Sequence, residues 1–119
     1  MSQIRLRRKI WLEVDGEPLL GYGRARLLNA IADSGSISAA CQLLGISYRR
    51  AWAKLQKMEK QAPFAILERH KGGKGGGGTT LTKETISLLQ QYAELTTMID
   101  TKLQECNSKQ FDIPEIDNL

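Results

Sequence analysis

Residues 34–59 read SGSISAACQLLGISYRRAWAKLQKME, and this stretch decides the fold because it contains two helices in close succession. Ser36 is a good N-cap for a short helix, ISAACQLL, whose apolar residues share one face. Gly45 stands where that helix must stop, since glycine readily adopts the left-handed conformation of a helix end. Only Ile46 separates this glycine from Ser47, the next N-cap. The stretch therefore predicts two helices joined by a turn of three or four residues.

The second of these helices is predicted to run from Tyr48 to about Ala62, where Pro63 ends it. At 100° per residue its apolar side chains fall within roughly 120° of one another, and its cations occupy the other side. The apolar set is Tyr48, Ala51, Trp52, Leu55 and Met58, and the cationic set is Arg49, Arg50, Lys54, Lys57 and Lys60. We expect the first face to pack in the core and the second to present a row of positive charge.

Two helices joined by a glycine-containing turn, with the small pair Ala40-Cys41 where they cross, form either a helix-turn-helix or an ordinary helical hairpin. The position of the charge favours the first. Arg49 and Arg50 lie in the first turn, where a recognition helix presents side chains to base edges in the major groove, so they are the candidates for reading sequence. The remaining candidates are Lys54 and Lys57 for phosphates, and Ser47 and Tyr48 for the backbone or a base.

Upstream of this motif, residues 4–20 predict a β-hairpin. Apolar and polar residues alternate loosely before Asp15-Gly16, which is a strong turn dipeptide, and the short return strand EPLL carries Pro18 at its edge. Gly21-Tyr22-Gly23 is expected to break the chain before a helix from Arg24 to Asp33.

Downstream, the stretch HKGGKGGGGTTLT at residues 70–82 places six glycines around Lys74. FAILERHK and TTLT read as short strands flanking this loop. Gly73 to Gly78 match the dinucleotide-binding pattern G-x-G-x-x-G, but that pattern needs a strand leading directly into a helix, and here the next helix begins only at Thr82. A phosphate loop also fails, because Gly75 rather than Ser or Thr follows the lysine. A hairpin that approaches a sugar-phosphate backbone is favoured.

Thr82 is predicted to cap a last, long helix that runs to about Ser108 and carries two apolar seams. The first seam holds Ile86, Leu89, Ala93, Thr96 and Leu103, and the second holds Leu88, Tyr92, Leu95, Ile99 and Cys106. One seam suffices to dock the helix on its own domain, so the second indicates a partner surface; burial of both within the monomer is the alternative. The candidates for dimerisation are Leu88, Tyr92, Leu95 and Ile99.

The charge is distributed unevenly along the 119 residues, which suffice for one domain, predicted over residues 1–109 with a short acidic tail at 110–119. Residues 1–81 hold 14 basic and 6 acidic side chains, a net charge of +8, whereas residues 82–119 hold 3 and 7, a net charge of −4. Such a concentration of positive charge indicates a polyanionic partner.

Composition also argues against several classes of protein. One histidine and two distant cysteines provide no metal-ligand set, disulfide framework or arranged catalytic base, so we expect neither an enzyme nor a cofactor. The sequence has no membrane-length apolar run and no secretory signal, so a cytoplasmic protein is expected.

The segments GSISAACQLLGISYRRAWAKLQKME and ILERHKGGKGGGGTTLT together resemble the N-terminal DNA-binding domain of the ModE-type molybdate-responsive transcription regulators, a winged helix-turn-helix related to the LysR kind. The likeness covers about Leu19 to Ile99, and its most specific part is the glycine-rich hairpin, the wing. It implies a mainly α fold with small β elements: an N-terminal β-hairpin, a β-hairpin wing and a long C-terminal dimerisation helix. It also implies a homodimer that binds a palindromic operator in double-stranded DNA. The implied DNA contacts are Ser36, Ser47, Tyr48, Arg49, Arg50, Arg69, Lys71 and Lys74.

Full-length members of that family continue into a molybdate-binding region, for which the residues after the long helix offer no material. We therefore expect a regulator without its own ligand-sensing domain, with an effector that acts through a separate protein or with no effector at all. The alternative is a winged-helix adaptor that binds a partner protein rather than specific DNA.

Overall fold

The computed structural model describes residues 3–71, 78–109, 111 and 113. In chain order the elements are β1 (Trp11–Val14), β2 (Glu17–Gly21), α1 (Tyr22–Ser34), α2 (Ile37–Leu44), α3 (Tyr48–Gln61), β3 (Leu67–His70), β4 (Gly78–Leu81) and α4 (Lys83–Ser108). β1 pairs with β2 and β3 with β4, in two separate antiparallel sheets. This order confirms the predicted class, a mainly α winged helix-turn-helix with a long last helix.

The first hairpin turns at the predicted dipeptide. Asp15 and Gly16 both take positive φ angles, 50° and 82°, as the central residues of a type I′ turn do. The hairpin is shorter than the alternation predicted, because residues 3–10, here called the N-terminal arm, form no strand. β2 sends the adjacent Leu19 and Leu20 into the core, so the hairpin is anchored by its return strand.

α1 begins earlier than expected, and the predicted break over Gly21-Tyr22-Gly23 is wrong. Gly21 is the N-cap and Gly23 lies within the first turn of the helix. The guanidinium of Arg24 donates to the carbonyl oxygens of Pro18 and Leu19 at 2.8 and 2.9 Å. These bonds tie the first turn to β2 and offset the low helix propensity of glycine.

α2 and α3 keep the predicted boundaries, which the caps at their ends explain. Ser36 and Ser47 cap the two N-termini, and Gly45 ends α2 with a φ of 66°. Both helices pack one face into a single core together with α1 and β2. Its most deeply buried side chains are Leu20, Leu27, Leu28, Ile31, Ala40, Ala51, Leu55, Met58 and Ile66. Met58 is thus a core residue, as predicted.

The start of α4 is fastened to the segment that enters β3. Thr82 caps the helix by accepting the amide of Thr85 at 3.2 Å, and its hydroxyl donates to the carbonyl oxygen of Ala65 at 2.7 Å. The hydroxyl of Thr85 donates to the carbonyl oxygen of Ile66 at 2.9 Å. Both threonines are buried, and these bonds compensate for the removal of their hydroxyls from water.

The N-terminal arm runs back along the other half of α4. Tyr92 donates its hydroxyl to the carbonyl oxygen of Ile10 at 2.9 Å. Arg8 binds both carboxylate oxygens of Asp100, at 2.8 and 2.7 Å. Further along, the side chain of Asn107 accepts the amide of Leu6 at 2.8 Å and donates to its carbonyl oxygen at 3.0 Å. The arm therefore lies along α4 and is held there by bonds from three alternate residues, Leu6, Arg8 and Ile10.

The ion pair within this contact has a defined pH dependence. Its hydrogen bond lowers the pKa of Asp100 below the ordinary carboxyl value and raises the pKa of Arg8. Because the carboxyl pKa is depressed in the folded chain, the pair contributes fully above the pKa of a free carboxyl. The contribution is lost as the pH falls through the depressed value.

Neither predicted seam of α4 is the one that docks. The side chains that turn inward are Thr85, Leu89, Tyr92, Thr96, Asp100, Leu103 and Asn107, a stripe at helical spacing that crosses both seams. Ile86 and Cys106, assigned to different seams, are both exposed. The positions of the apolar residues alone did not reveal this stripe, because several of its members are polar. Their side chains turn inward because they form hydrogen bonds to the arm or to the backbone of Ile66. No helix in the described ranges is long and apolar enough to cross a membrane.

The base of the wing is held against the turn between α1 and α2. The amide of Thr79 donates to the carbonyl oxygen of Gly35 at 2.9 Å. Gly78 comes so close that a Cβ at this position would lie 3.0 Å from the same oxygen. At Gly78, therefore, a close backbone contact favours glycine over any residue with a Cβ.

Gly78→Ala should lower the free energy of unfolding by about 1–2 kcal/mol, because the added methyl group must push the strand away from Gly35. Gly23→Ala is the matched control. Its Cβ meets nothing within 4 Å and alanine is the better helix former, so stability should stay level or rise by up to about 1 kcal/mol. Urea unfolding monitored by circular dichroism measures both, and an equal response of the two variants would contradict this account.

Candidate nucleic-acid interface

The outer face of α3 is strongly cationic. Arg49, Arg50, Lys57 and Lys60 are exposed, and Lys54 is half-buried. The acidic residue of the helix, Glu59, is directed to the backbone that follows: its carboxylate accepts the amides of Ile66 and Leu67 at 3.3 and 3.2 Å. The carboxylate of Glu59 thus stabilises the turn into β3 and does not neutralise the cations on the outer face of α3.

The two predicted serines have a structural role at the helix N-termini. The hydroxyl oxygen of Ser36 accepts the amide of Ala39 at 3.0 Å, and that of Ser47 accepts the amide of Arg50 at 3.1 Å. Each hydroxyl keeps its own hydrogen for a further acceptor. Ser47 is exposed and Ser36 half-buried, so both can be reached from outside.

The wing meets α3 through an aromatic contact. The guanidinium carbon of Arg69 lies 4.2 Å from the centre of the Trp52 ring, within the range of a cation–π interaction. Tyr48 meets the same ring edge-on, with ring centres 6.1 Å apart. The prediction that Tyr48 and Trp52 are core residues needs correction. Trp52 is only half-buried and Tyr48 is 49% exposed, because both sit at the edge of the core where the wing crosses the helix.

A concavity of about 320 Å³ lies between the N-terminus of α2, the first turns of α3 and the base of the wing. Three predicted contact residues, Ser36, Tyr48 and Arg69, line it together. Arg49 and Arg50 follow Tyr48 in the first turn of α3. Lys71 follows the end of β3 and is exposed, whereas Lys74 lies outside the described residues.

His70 and Trp52 also line this concavity, and sequence reasoning gave neither a role there. The Nε2 atom of His70 lies 2.9 Å from the hydroxyl oxygen of Thr80 across the wing. This placement follows from the pairing register, in which Arg69 opposes Thr79 and His70 opposes Gly78. The sequence of this strand, in which every residue from Glu68 to Lys71 is polar, gave no signal for this placement.

The cations around the concavity have no carboxylate neighbour within ion-pair distance in the described part of the chain. The ion pairs found there, Arg8 with Asp100 and Lys102 with Glu105, involve the arm and the far half of α4. The positive potential of α3 and the wing is therefore not neutralised locally, and a surface of this kind attracts polyanions.

Comparison with known proteins assigns the sequence that forms this surface to a family. Residues 23–85, which run from α1 to the first turn of α4, match the profile of the bacterial regulatory helix-turn-helix proteins of the lysR family. The chain belongs to this family. The match covers the helix-turn-helix and the wing, so the predicted helix-turn-helix of the LysR kind is confirmed.

The similar proteins include several ModE regulators, which confirms the predicted resemblance. The transcriptional regulator ModE of Haemophilus influenzae is 48% identical over 69 residues, covering 58% of this chain and 27% of that protein. The DNA-binding transcriptional dual regulator ModE of Escherichia coli K12 is 45% identical over 69 residues, covering 58% of this chain and 26% of that protein. The molybdenum transport protein ModE of Azotobacter vinelandii is 35% identical over 95 residues, covering 80% and 35%. The chain thus matches about a quarter to a third of the length of these relatives.

Ser47→Ala should cost about 1 kcal/mol of stability, because the amide of Arg50 loses its acceptor at the start of α3. Ser47→Asp keeps an oxygen at the same place and should leave the free energy of unfolding within a few tenths of a kcal/mol of wild type. Urea unfolding compares the two. Equal losses for Ala and Asp would show that the cap is not what the hydroxyl contributes.

Proposed function

We propose that this protein is a sequence-specific double-stranded DNA-binding transcription regulator that inserts α3 into the major groove. The observation that carries the proposal is the exposed cationic face of α3, with two arginines in the first turn beside the wing. An α-helix is about 10–12 Å across and the major groove about 12 Å wide, so one helix fits. Such a regulator would act in the cytoplasm, where bacterial DNA lies.

The residues divide into two roles. Arg49 and Arg50 would read base edges, because a guanidinium can pair bidentately with guanine. The phosphate contacts would come from both sides of α3. They are Ser36, Ser47 and Tyr48 near the helix N-termini, Lys54 and Lys57 along the helix, and Arg69, Lys71 and Lys74 on the wing.

We infer that α4 and the arm form a homodimer. Leu88, Leu95 and Ile99 fall within roughly 40° of one another at 100° per residue, in a stripe beside the docked one. Leu95 is 52% and Ile99 44% exposed, and the arm adds the exposed Ile4 and Leu6 to the same end of the molecule. Leaving this much apolar surface in water is unfavourable, and a second copy would cover it.

Tyr92 contributes less to that surface than the sequence predicted. Its ring is buried and its hydroxyl is bonded to the arm, so it supports the stripe from within its own chain. A dimer would place two copies of α3 about one helical turn of DNA apart, ~34 Å, on a palindromic operator.

Selection of bound duplexes from random DNA, followed by titration at several salt concentrations, tests the proposal. We expect enriched palindromic sites and an affinity that falls steeply with salt. Weak, equal binding to every duplex would reject it. That outcome would favour the winged-helix adaptor, for which the exposed Tyr22 and Leu43 offer apolar contacts. Repeating the selection with molybdate shows whether that anion has any influence.

Arg49→Ala and Arg50→Ala should each relax the preference at particular base pairs, at a cost of about 1–3 kcal/mol on the selected duplex. Lys57→Ala is the comparison variant on the same exposed face. It should weaken selected and random duplexes alike and reduce the salt slope by about one unit. Fluorescence anisotropy with both duplexes measures these effects; identical patterns for all three variants would refute the division of roles.

Leu95→Glu should convert the dimer to a monomer in sedimentation at micromolar concentration, because it places a charge in the apolar stripe. Gln90→Glu introduces the same charge at an exposed position on another face of α4 and should leave the dimer intact. A monomeric wild type, or a dimer unaffected by Leu95→Glu, would rule out this interface.

A further inference from the structure

Trp52 is the point at which the recognition helix and the wing touch. The guanidinium carbon of Arg69 on β3 lies 4.2 Å from the centre of its ring, and Tyr48, one turn earlier on α3, meets the ring edge-on. Three side chains from two elements thus form one stack. Tyr48 and Arg69 are proposed DNA contacts, whereas Trp52, between them, has so far been given no part in binding.

Both partners of the central contact are held in place by their own elements. Trp52 is half-buried and packs against the core, next to Ala51 and one turn from Leu55, both of which are fully buried. Arg69 sits opposite Thr79, whose amide is bonded to Gly35. The backbone on each side of the stack is therefore fixed, and the ring restricts the remaining freedom of the long arginine side chain.

The geometry leaves the guanidinium available for a ligand. The indole ring lies against the guanidinium of Arg69, and this group carries five N–H donors in one plane. In the described residues no carboxylate lies within ion-pair distance of it, since the ion pairs found there are both on the arm and α4. A stacked arginine of this kind can still donate to a phosphate oxygen in its own plane.

We propose that Trp52 is a positioning residue for DNA binding: it holds the Arg69 guanidinium in the orientation that binds a backbone phosphate, without contacting DNA itself. The inference rests on the proposed function of α3 and the wing. Its physical basis is preorganisation, because an arginine already ordered in the free protein loses less rotamer freedom when it binds.

The proposal makes the contribution of Trp52 depend on Arg69. Trp52→Leu should weaken binding to the selected duplex about two- to fivefold, the range expected for losing an exposed cation–π contact. Arg69→Ala should weaken it at least as much and lower the salt slope by about one unit. In the Arg69→Ala background, Trp52→Leu should cause no further loss. With Arg69 present, Trp52→Phe should keep most of the wild-type affinity, because it retains an aromatic face for the guanidinium.

Trp11 provides the control. It is the other tryptophan of the chain, lies exposed on β1 and bonds Glu13, far along the sequence from the stack. Trp11→Phe should bind DNA like wild type and leaves Trp52 as the only indole emitter. In that background Arg69→Ala should shift the fluorescence of the free protein, which tests the stack even if Trp52→Leu fails to fold.

The experiments distinguish a failure of the proposed DNA binding from a failure of the proposed role of Trp52. If wild type binds no duplex, the proposed function fails and this inference with it. If wild type binds selected duplexes but Trp52→Leu costs the same with and without Arg69, Trp52 acts on the fold alone and only the inference is overturned. Unchanged Trp52 emission after Arg69→Ala would overturn it as well.

Discussion

Burial of one face of α3 is the constraint on which the rest of the molecule depends. Ala51, Leu55 and Met58 are essentially inaccessible to solvent, so the rotation of the helix about its axis is fixed. Once those three positions are inside, Arg49 and Arg50 must stand outside, since neighbours in sequence are about 100° apart on a helix. Removing a charged side chain from water would be far more costly than any gain from a rotated packing, and the cationic face therefore follows from the apolar one.

The wing adds a second constraint, because it fixes how the cationic surface continues beyond α3. The backbone bond from Thr79 to Gly35 sets the position of β4, and the close approach of Gly78 to the same carbonyl oxygen disfavours a side chain there. Arg69 then reaches the edge of α3 and stacks on Trp52. The glycine-rich stretch that formally matched a nucleotide-binding pattern thus has at least one glycine explained by packing of protein on protein. Phosphate chemistry is not needed to account for that position.

Local signals in the sequence were sufficient for the helix-turn-helix and insufficient for α4 and the stack. Ser36, Ser47, Thr82 and Gly45 each mark a helix end through a single side chain or its absence, so their positions could be predicted without tertiary information. The docked stripe of α4 could not, because Asp100 and Asn107 become inward residues only when Arg8 and the backbone of Leu6 lie against them. Trp52 was assigned to the core because it is an aromatic residue at helical spacing on the apolar face of the helix. The cation that lies over its ring comes from a strand 17 positions later, and the hairpin places that strand beside α3.

The basic part of the sequence, residues 1–81, and the acidic part, residues 82–119, form different regions of the structure. The acidic residues of α4, among them Glu94, Asp100 and Glu105, lie on the helix that projects beyond the core, while Arg49 and Arg50 of α3 and Arg69 of the wing lie at or beside one concavity. Arg8 belongs to the basic part of the sequence, yet Asp100 binds it and lowers its effect on the surrounding potential. A polyanion approaching the molecule would therefore be attracted to α3 and repelled from the far end of α4, which favours encounters in the binding orientation. The same separation would leave the apolar stripe of α4 open to another copy while α3 is engaged, so that the proposed DNA binding and self-association would not compete for one surface.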